Sequence, residues 1–161
     1  MRGAEEERPM RTNSKARRVP KLRLSPEEKA VLRGAKLRAV DFVSLAPGEI
    51  RRATGGAIAL ARARELCSLA RFQELPSVGP AMAEDFVKLG YAEPKDLVGE
   101  DPEKMFAKFE RIAGRQDPCV ADCFHCAVYY AENPGAPEDK PWWHWSEERL
   151  ARQRKQGRKS R

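Results

Sequence analysis

The chain has 161 residues, of which 41% are hydrophobic and 34% charged, and its formal net charge is +7. This length suits one domain with flanking tails, and no apolar run reaches the ~20 residues that cross a bilayer. The first residues lack the apolar stretch of a secretory signal, and the four cysteines are more typical of reduced thiols than of a disulfide framework. We therefore expect a cytoplasmic protein without a membrane segment.

The positive charge is concentrated at the two ends of the chain. Residues 1–24 and 147–161 each have a net charge of +5, residues 25–71 have +4 and residues 72–146 have −7. Basic segments attract nucleic acid by neutralising phosphates, without base readout, although they can also be solvated ends with no ligand. Residues 1–24 are polar and aperiodic as well. The pattern predicts disordered basic tails at 1–24 and 147–161 around a folded region at 25–146.

A capping signal marks the start of the first predicted helix. Ser25 can serve as the N-cap, Pro26 as the first helical residue, and Glu28 as the residue that completes a capping box. Apolar residues follow, and Gly34 is expected to end this helix.

An internal repeat with an offset of 55 residues follows this helix. Asp41 and Asp96 each precede an apolar residue and a valine, and Pro47 and Pro102 each come six positions after the aspartate. We expect each aspartate to cap a short helix and each proline to open the next one. The two copies predict a duplicated helical unit, the first at about 25–71 and the second at about 72–132.

A tight turn between two helices is predicted at Leu75-Pro76-Ser77-Val78-Gly79-Pro80. An apolar helix end precedes this segment, and Pro80 is suited to the first position of a new helix. Such a turn leaves amide N–H groups free at a helix N-terminus, where they can bind one phosphate. The alternative is a corner that only joins two core helices. Thr54-Gly55-Gly56 predicts a second, degenerate turn of the same kind.

Two further helices are predicted in the second half of the chain. Apolar residues at helical spacing run up to Gly114, and a second series starts at Asp117-Pro118 and stops at Asn133. No apolar–polar alternation is long enough to predict a strand. The predicted fold is therefore all-α.

Three cysteines stand together in the last of these helices. Cys119, Cys123 and Cys126 have the C-x-x-x-C-x-x-C spacing with which radical-SAM enzymes hold an iron–sulfur cluster. The same spacing puts them on one face of a helix, where free cysteine commonly packs as a small apolar residue. We expect core packing and no cofactor. A metal or redox site is the alternative, with His125 and Cys67 as further zinc ligands.

Three tryptophans, Trp142, Trp143 and Trp145, follow a proline-rich acidic linker. Aromatic side chains beside a basic tail can stack on unpaired bases. More commonly, clustered tryptophans near a terminus cover apolar surface. We expect the segment 141–146 to dock on the helix that contains Phe124 and Tyr129.

Six segments between Phe72 and about Trp145 form one pattern: Leu75-Pro76-Ser77-Val78-Gly79-Pro80-Ala81-Met82-Ala83-Glu84-Asp85-Phe86, Asp96-Leu97, Asp101-Pro102-Glu103, Asp117-Pro118-Cys119-Val120, Ala127-Val128-Tyr129-Tyr130 and Trp142-Trp143-His144-Trp145. With these segments the stretch resembles the helix-hairpin-helix family known as Cdd1, or "pathogenicity locus" proteins. The resemblance implies tandem helix-hairpin-helix units and, by analogy with that superfamily, sequence-independent contact with a DNA backbone. Residues 25–71 resemble the short helical repeats of the superfamily more loosely.

One position departs from the pattern of that superfamily. Helix-hairpin-helix turns usually have glycine at both turn positions, whereas here the first is Ser77 and only Gly79 remains. If this position requires a positive φ, Ser77 is strained. Glu84 and Asp85 also place negative charge beside the turn. These features favour an alternative in which the turn contacts a protein or only shapes the fold.

No catalytic constellation is present in the sequence, because neither His125 nor His144 accompanies a nucleophile with an orienting acid, and no phosphate-binding loop or dinucleotide motif occurs. We expect a non-enzymatic module that binds the phosphate backbone of DNA with low sequence specificity. The alternatives are a protein-interaction module whose partner contacts the acidic second half, and a metal or redox protein. The expected nucleic-acid-binding residues are Ser77, Val78, Gly79, Ala81, Lys88, Arg51 and Arg52.

Overall fold

The computed structural model describes residues 18–159. Within this range the chain forms seven α-helices: α1 (Pro26–Gly34), α2 (Pro47–Ala53), α3 (Leu60–Phe72), α4 (Pro80–Leu89), α5 (Pro102–Ala113), α6 (Cys119–Glu132) and α7 (Trp143–Lys159). Two short 3₁₀ helices, Ala39–Val43 and Pro94–Leu97, are also present, and residues 18–159 contain no strand. The all-α prediction is confirmed. Nowhere in this range is a helix both long enough and apolar enough to traverse a membrane.

Local sequence signals explain where several helices begin and end. Ser25 Oγ accepts a hydrogen bond from the Glu28 amide at 3.1 Å, and Glu28 Oε2 accepts one from the Ser25 amide at 2.9 Å, which is the predicted capping box. Proline stands in the first turn of α1, α2, α4 and α5. Proline has no N–H, and at this position it gives up no intrahelical hydrogen bond, because the first N–H groups of a helix have no acceptor within it. Gly90 follows α4 in a left-handed conformation with φ of 97° that glycine adopts freely.

The elements of the two predicted units follow the same order along the chain. A helix, a 3₁₀ helix and two further helices occur in this order from α1 to α3, and again from α4 to α6. Asp41 Oδ2 accepts a hydrogen bond from the Arg38 amide at 2.7 Å, and Asp96 Oδ2 accepts one from the Glu93 amide at 3.0 Å. Each aspartate therefore stands third in a 3₁₀ helix, and its carboxylate binds the amide of the residue before that helix.

Two hydrophobic clusters meet at α3. The first cluster lies among α1, α2, the first 3₁₀ helix and α3, and it encloses Phe42, which is 0% exposed. The second cluster lies among the end of α3 and α4 to α6. Its centre is a chain of aromatic contacts, in which the ring centroids of Phe72 and Phe86 are 5.1 Å apart, those of Phe86 and Phe124 are 5.5 Å apart, and those of Phe109 and Phe124 are 5.9 Å apart. Residues of α3 belong to both clusters, so this helix joins them.

The tryptophan segment docks on the second cluster, as predicted. The ring centroid of Trp145 lies 5.7 Å from that of Tyr129, and Trp142 packs on the same cluster. Trp143 differs, because it remains 54% exposed.

A buried ion pair fastens α7 to α6. Asp122 of α6 is 1% exposed, and its Oδ2 accepts hydrogen bonds from Arg149 Nη2 at 3.0 Å and from Ser146 Oγ at 2.6 Å. Both donors belong to α7. Because a buried carboxylate requires partners of this kind, the pair specifies where α7 lies.

The prediction of disordered tails is wrong for residues 18–24 and 147–159. The Lys21 amide donates to Gln73 Oε1 and Gln73 Nε2 donates to the Lys21 carbonyl, both at 2.9 Å, and Pro20 is buried. Residues 147–159 continue α7, because the docked tryptophans anchor its first turn and good helix formers follow. The rest of the predicted tails, residues 1–17 and 160–161, lies outside the described residues.

Candidate functional site

The predicted site residues of the α3–α4 turn, residues 73–79, differ in exposure and in whether their N–H groups are free. Ser77, Gly79 and Ala81 are exposed, and within residues 18–159 the N–H groups of Gly79 and Ala81 have no acceptor. Val78 instead donates its N–H to the Leu75 carbonyl at 3.2 Å, and its side chain is 7% exposed. The Val78 amide is therefore not free, contrary to expectation, because the turn closes on itself at this residue.

Ser77 occupies the position where the superfamily pattern has glycine, and its φ is 63°. A residue with a Cβ is destabilised in this left-handed region by roughly 1–2 kcal/mol. The expected strain at Ser77 is thus present. Its side chain also contacts α6: burial raises the pKa of Cys126 to about 11, and a hydrogen bond from Ser77 opposes that rise.

We expect Ser77→Gly to be more stable to urea than Ser77→Ala by about 1 kcal/mol. Both variants remove the hydroxyl that contacts Cys126, so their difference isolates the backbone conformation. The measurement is the free energy of unfolding followed by circular dichroism. Equal stabilities of the two variants would contradict a strained turn.

The segment of residues 18–24 supplies cations to the turn that sequence reasoning did not place there. Arg18 Nη1 donates to the Leu75 carbonyl at 3.4 Å, and Arg23 Nε lies 3.2 Å from Glu84 Oε1. Lys21 lies between them in the sequence. Pairing with Arg23 offsets part of the negative charge beside the turn. The alternation of apolar and charged residues from 20 to 24 was the available signal for an extended, packed segment.

The other predicted cations do not lie at this turn. Lys88 is eight residues beyond Pro80 in α4, about 12 Å along the helix axis, and its Nζ lies 3.8 Å from Asp85 Oδ1. Arg51 and Arg52 are exposed in the last turn of α2. They come just before the α2–α3 turn, which leads into the other end of α3, a helix of 13 residues about 20 Å long.

The α2–α3 turn, residues 54–59, is the predicted second turn, and its amides are largely paired. Gly55 and Gly56 donate their N–H groups to the carbonyls of Arg52 and Arg51 at 3.0 and 2.8 Å. Ile58 donates its N–H to the Thr54 hydroxyl at 3.3 Å. These donors are not available to a ligand, but the N–H groups of Leu60 and Ala61 at the start of α3 have no acceptor among residues 18–159 and no side-chain cap. The α3–α4 turn is the stronger candidate because Arg18 contacts it.

The three clustered cysteines lie on α6 as predicted. Cys126 is 1% exposed, whereas Cys119 and Cys123 are half-buried. Burial raises the pKa of Cys123 to about 12, so its thiol is protonated at neutral pH and is a weak nucleophile. Among residues 18–159, no group of three or more His, Cys, Asp and Glu side chains is placed to hold a metal ion.

The two further zinc ligands considered from the sequence have other partners. His125 Nε2 is 2.8 Å from Glu103 Oε1. Cys67 packs in the first hydrophobic cluster, with its Sγ 3.6 Å from the Leu45 carbonyl. Cys126 belongs to the second cluster, so the structure does not bring Cys67 to the cysteines of α6.

Comparison with known proteins shows that the α3–α4 turn lies within a segment that matches a protein family. Residues 65–151, from α3 into α7, match the family described as "Cdd1: Pathogenicity locus". The chain is also similar to the "Mitomycin resistance protein McrB" of Streptomyces lavendulae, with 37% identity over 76 residues that cover 47% of this chain and 70% of that protein. No solved structure matches the chain. Because the matched region spans more than half of the sequence, the chain belongs to the Cdd1 family.

Proposed function

We propose that this protein is a helix-hairpin-helix module that binds the phosphate backbone of DNA, without base readout and without catalysing a reaction. The supporting observation is the α3–α4 turn, where Gly79 and Ala81 have N–H groups without an acceptor among residues 18–159, at the start of α4. No side chain caps this helix end. Free amides at a helix N-terminus attract anions, and phosphate is the anion that DNA presents at every nucleotide.

The cations of residues 18–24 support the same proposal. Arg18 contacts the turn and pairs with Glu138, Arg23 pairs with Glu84 of α4, and Lys21 is exposed between them without a carboxylate partner among residues 18–159. Positive side chains next to a phosphate release counterions from the DNA and make binding dependent on salt. The turn would hold one phosphate, and these cations would attract its neighbours.

Gly79 allows a sharp test of this interface. It is the N-cap of α4 with φ of −95° and ψ of −175°, a backbone that any residue can adopt, and an added Cβ would meet no atom within 4 Å. In Gly79→Asp the carboxylate would accept hydrogen bonds from the first-turn N–H groups. We expect this variant to fold at least as stably as the natural chain. Its Kd for a short DNA duplex should rise about ten- to a hundredfold, because a charge-assisted contact is lost.

Two further substitutions at Gly79 separate the effect of occupying the amides from the effect of the added negative charge. Gly79→Ala leaves the amides open and should change the Kd less than about twofold, whereas Gly79→Asn occupies them without adding charge and should have an intermediate effect. The measurement is fluorescence anisotropy with labelled duplex and single-stranded DNA at low and moderate salt. The proposal fails if Gly79→Asp binds both forms of DNA as tightly as the natural chain.

An exposed apolar pair on α7 favours a second candidate function, in which the module binds another protein. Trp143 is 54% exposed and Leu150 is 46% exposed, and their spacing of seven residues places them on one side of the helix. Exposed apolar side chains that share a face often mark protein contacts. Capture of a protein by the natural chain but not by Trp143→Ala/Leu150→Ala, together with no DNA binding, would select this candidate.

A further inference from the structure

A cationic cleft lies at the opposite end of α4 from the α3–α4 turn. It has a volume of about 390 Å³ and is lined by the end of α4, the residues after it and one face of α5. Tyr91, Lys104 and Arg111 are among its lining residues. Lys108 Nζ donates a hydrogen bond to the Leu89 carbonyl at 2.9 Å, so one ammonium group is held in place at the cleft.

The charged residues of α5 are separated onto two sides of the helix. Lys104, Lys108 and Arg111 follow one another at intervals of four and three residues, which places them on one face. Glu103 and Glu110 are occupied elsewhere, the first with a histidine of α6 and the second with a backbone amide after α5. The cationic face is therefore not neutralised by the acids of its own helix.

A single acid stands among the described residues that line the cleft. Glu100 Oε2 accepts a hydrogen bond from the Tyr91 hydroxyl at 3.0 Å. Burial, together with Glu100, raises the pKa of Tyr91 to about 12, so the hydroxyl remains a donor at neutral pH. Three cations against one carboxylate leave the cleft positive, and a positive cleft attracts anions.

The first predicted unit has no cations at the positions that correspond to these three. The residues 55 positions before Lys104, Lys108 and Arg111 are Glu49, Ala53 and Gly56. The corresponding helix α2 thus forms without a cationic face of this kind. Lys108 contributes a hydrogen bond to the fold, whereas Lys104 and Arg111 are exposed and remain available to a ligand.

We propose that this cleft is a second contact for the phosphate backbone of DNA, used together with the α3–α4 turn, an inference that rests on the proposed function. α4 separates the two sites and has ten residues, a length of about 15 Å. Phosphates of one strand follow at about 3.4 Å along the duplex axis. If α4 lies along the duplex axis, the two sites contact phosphates about four nucleotides apart.

The test compares two charge-matched variants of the full chain. Lys104→Gln/Arg111→Gln removes two exposed cations from the cleft, and Lys29→Gln/Arg33→Gln removes two exposed cations from α1. Lys108 is left unchanged because its hydrogen bond supports the fold. Binding to a short labelled duplex is followed by fluorescence anisotropy between about 50 and 200 mM salt. We expect the cleft variant to raise the Kd about tenfold and to reduce the slope of log K against log salt by about two.

The outcomes distinguish this inference from the proposed function. A loss confined to the cleft variant, with the α1 variant within about threefold of the natural chain, supports the second contact. Equal losses in the two variants overturn it while leaving DNA binding intact. Absence of binding by the natural chain overturns the proposed function, and the second contact with it.

Discussion

Replacing Arg149 with methionine will lower the free energy of unfolding by about 3–5 kcal/mol, because it leaves a buried charge without its partner. The Asp122 side chain is 2% exposed and that of Arg149 is 20% exposed, and Arg149 donates to the carboxylate from Nε at 3.2 Å and from Nη2 at 3.0 Å. In the variant, the Ser146 hydroxyl is the remaining side-chain donor to Asp122 among the described residues. Urea denaturation followed by tryptophan fluorescence measures the loss.

Two controls show whether the pair, and not the positive charge of α7, causes this loss. Arg152 lies on the same helix and is exposed, so Arg152→Met should change the stability by less than about 0.5 kcal/mol. Asp122→Leu/Arg149→Met removes both charges and should recover most of the stability. If Arg149→Met is no less stable than Arg152→Met, the pair does not anchor α7.

A second large effect is expected at Phe124, where substitution by alanine should lower the free energy of unfolding by about 3–5 kcal/mol. Phe124 is 0% exposed, and its ring contacts Phe86 of α4 and Phe109 of α5 with centroid distances of 5.5 and 5.9 Å. Deleting the ring leaves a cavity where three helices meet. Chemical denaturation of the purified variant measures the loss.

A smaller change at Phe124 and a substitution at an exposed residue serve as controls for this effect. Phe124→Leu retains most of the buried volume and should lose less than about 1.5 kcal/mol. Val98 is 54% exposed, so Val98→Ala should have little effect. A loss in Phe124→Ala that is as small as that of Val98→Ala would show that this ring does not hold the three helices together.

The same aromatic contacts bear on the proposed interface. Phe72 ends α3 and Phe86 lies in α4, so the two rings, 5.1 Å apart, stand on either side of the α3–α4 turn. Their contact sets the angle at which the turn presents the amides of Gly79 and Ala81. The core therefore positions the candidate site as well as stabilising the fold.

The sequence alone determined the features whose causes lie within a few residues. The capping box at Ser25, the aspartate caps at Asp41 and Asp96, and the helix start at Pro80 all agree with the structure. Each depends on hydrogen bonds or dihedral preferences over about one helical turn. The strain at Ser77 could also be predicted from the sequence, because serine stands where the superfamily pattern has glycine. A positive φ is a property of that single residue.

Tertiary structure decided the features that depend on distant partners. Residues 18–24 are held by Gln73, which is 52 positions from Lys21, and α7 is fixed by Asp122, which is 27 positions from Arg149. The cationic cleft exists because α5 packs against the end of α4, with Lys108 on the Leu89 carbonyl. No local pattern contains this information, because a charged residue has the same local preferences whether it meets a partner or water. The packing of the helices decides whether a charged residue meets a partner or water. It therefore also determined which cations lie near the candidate site.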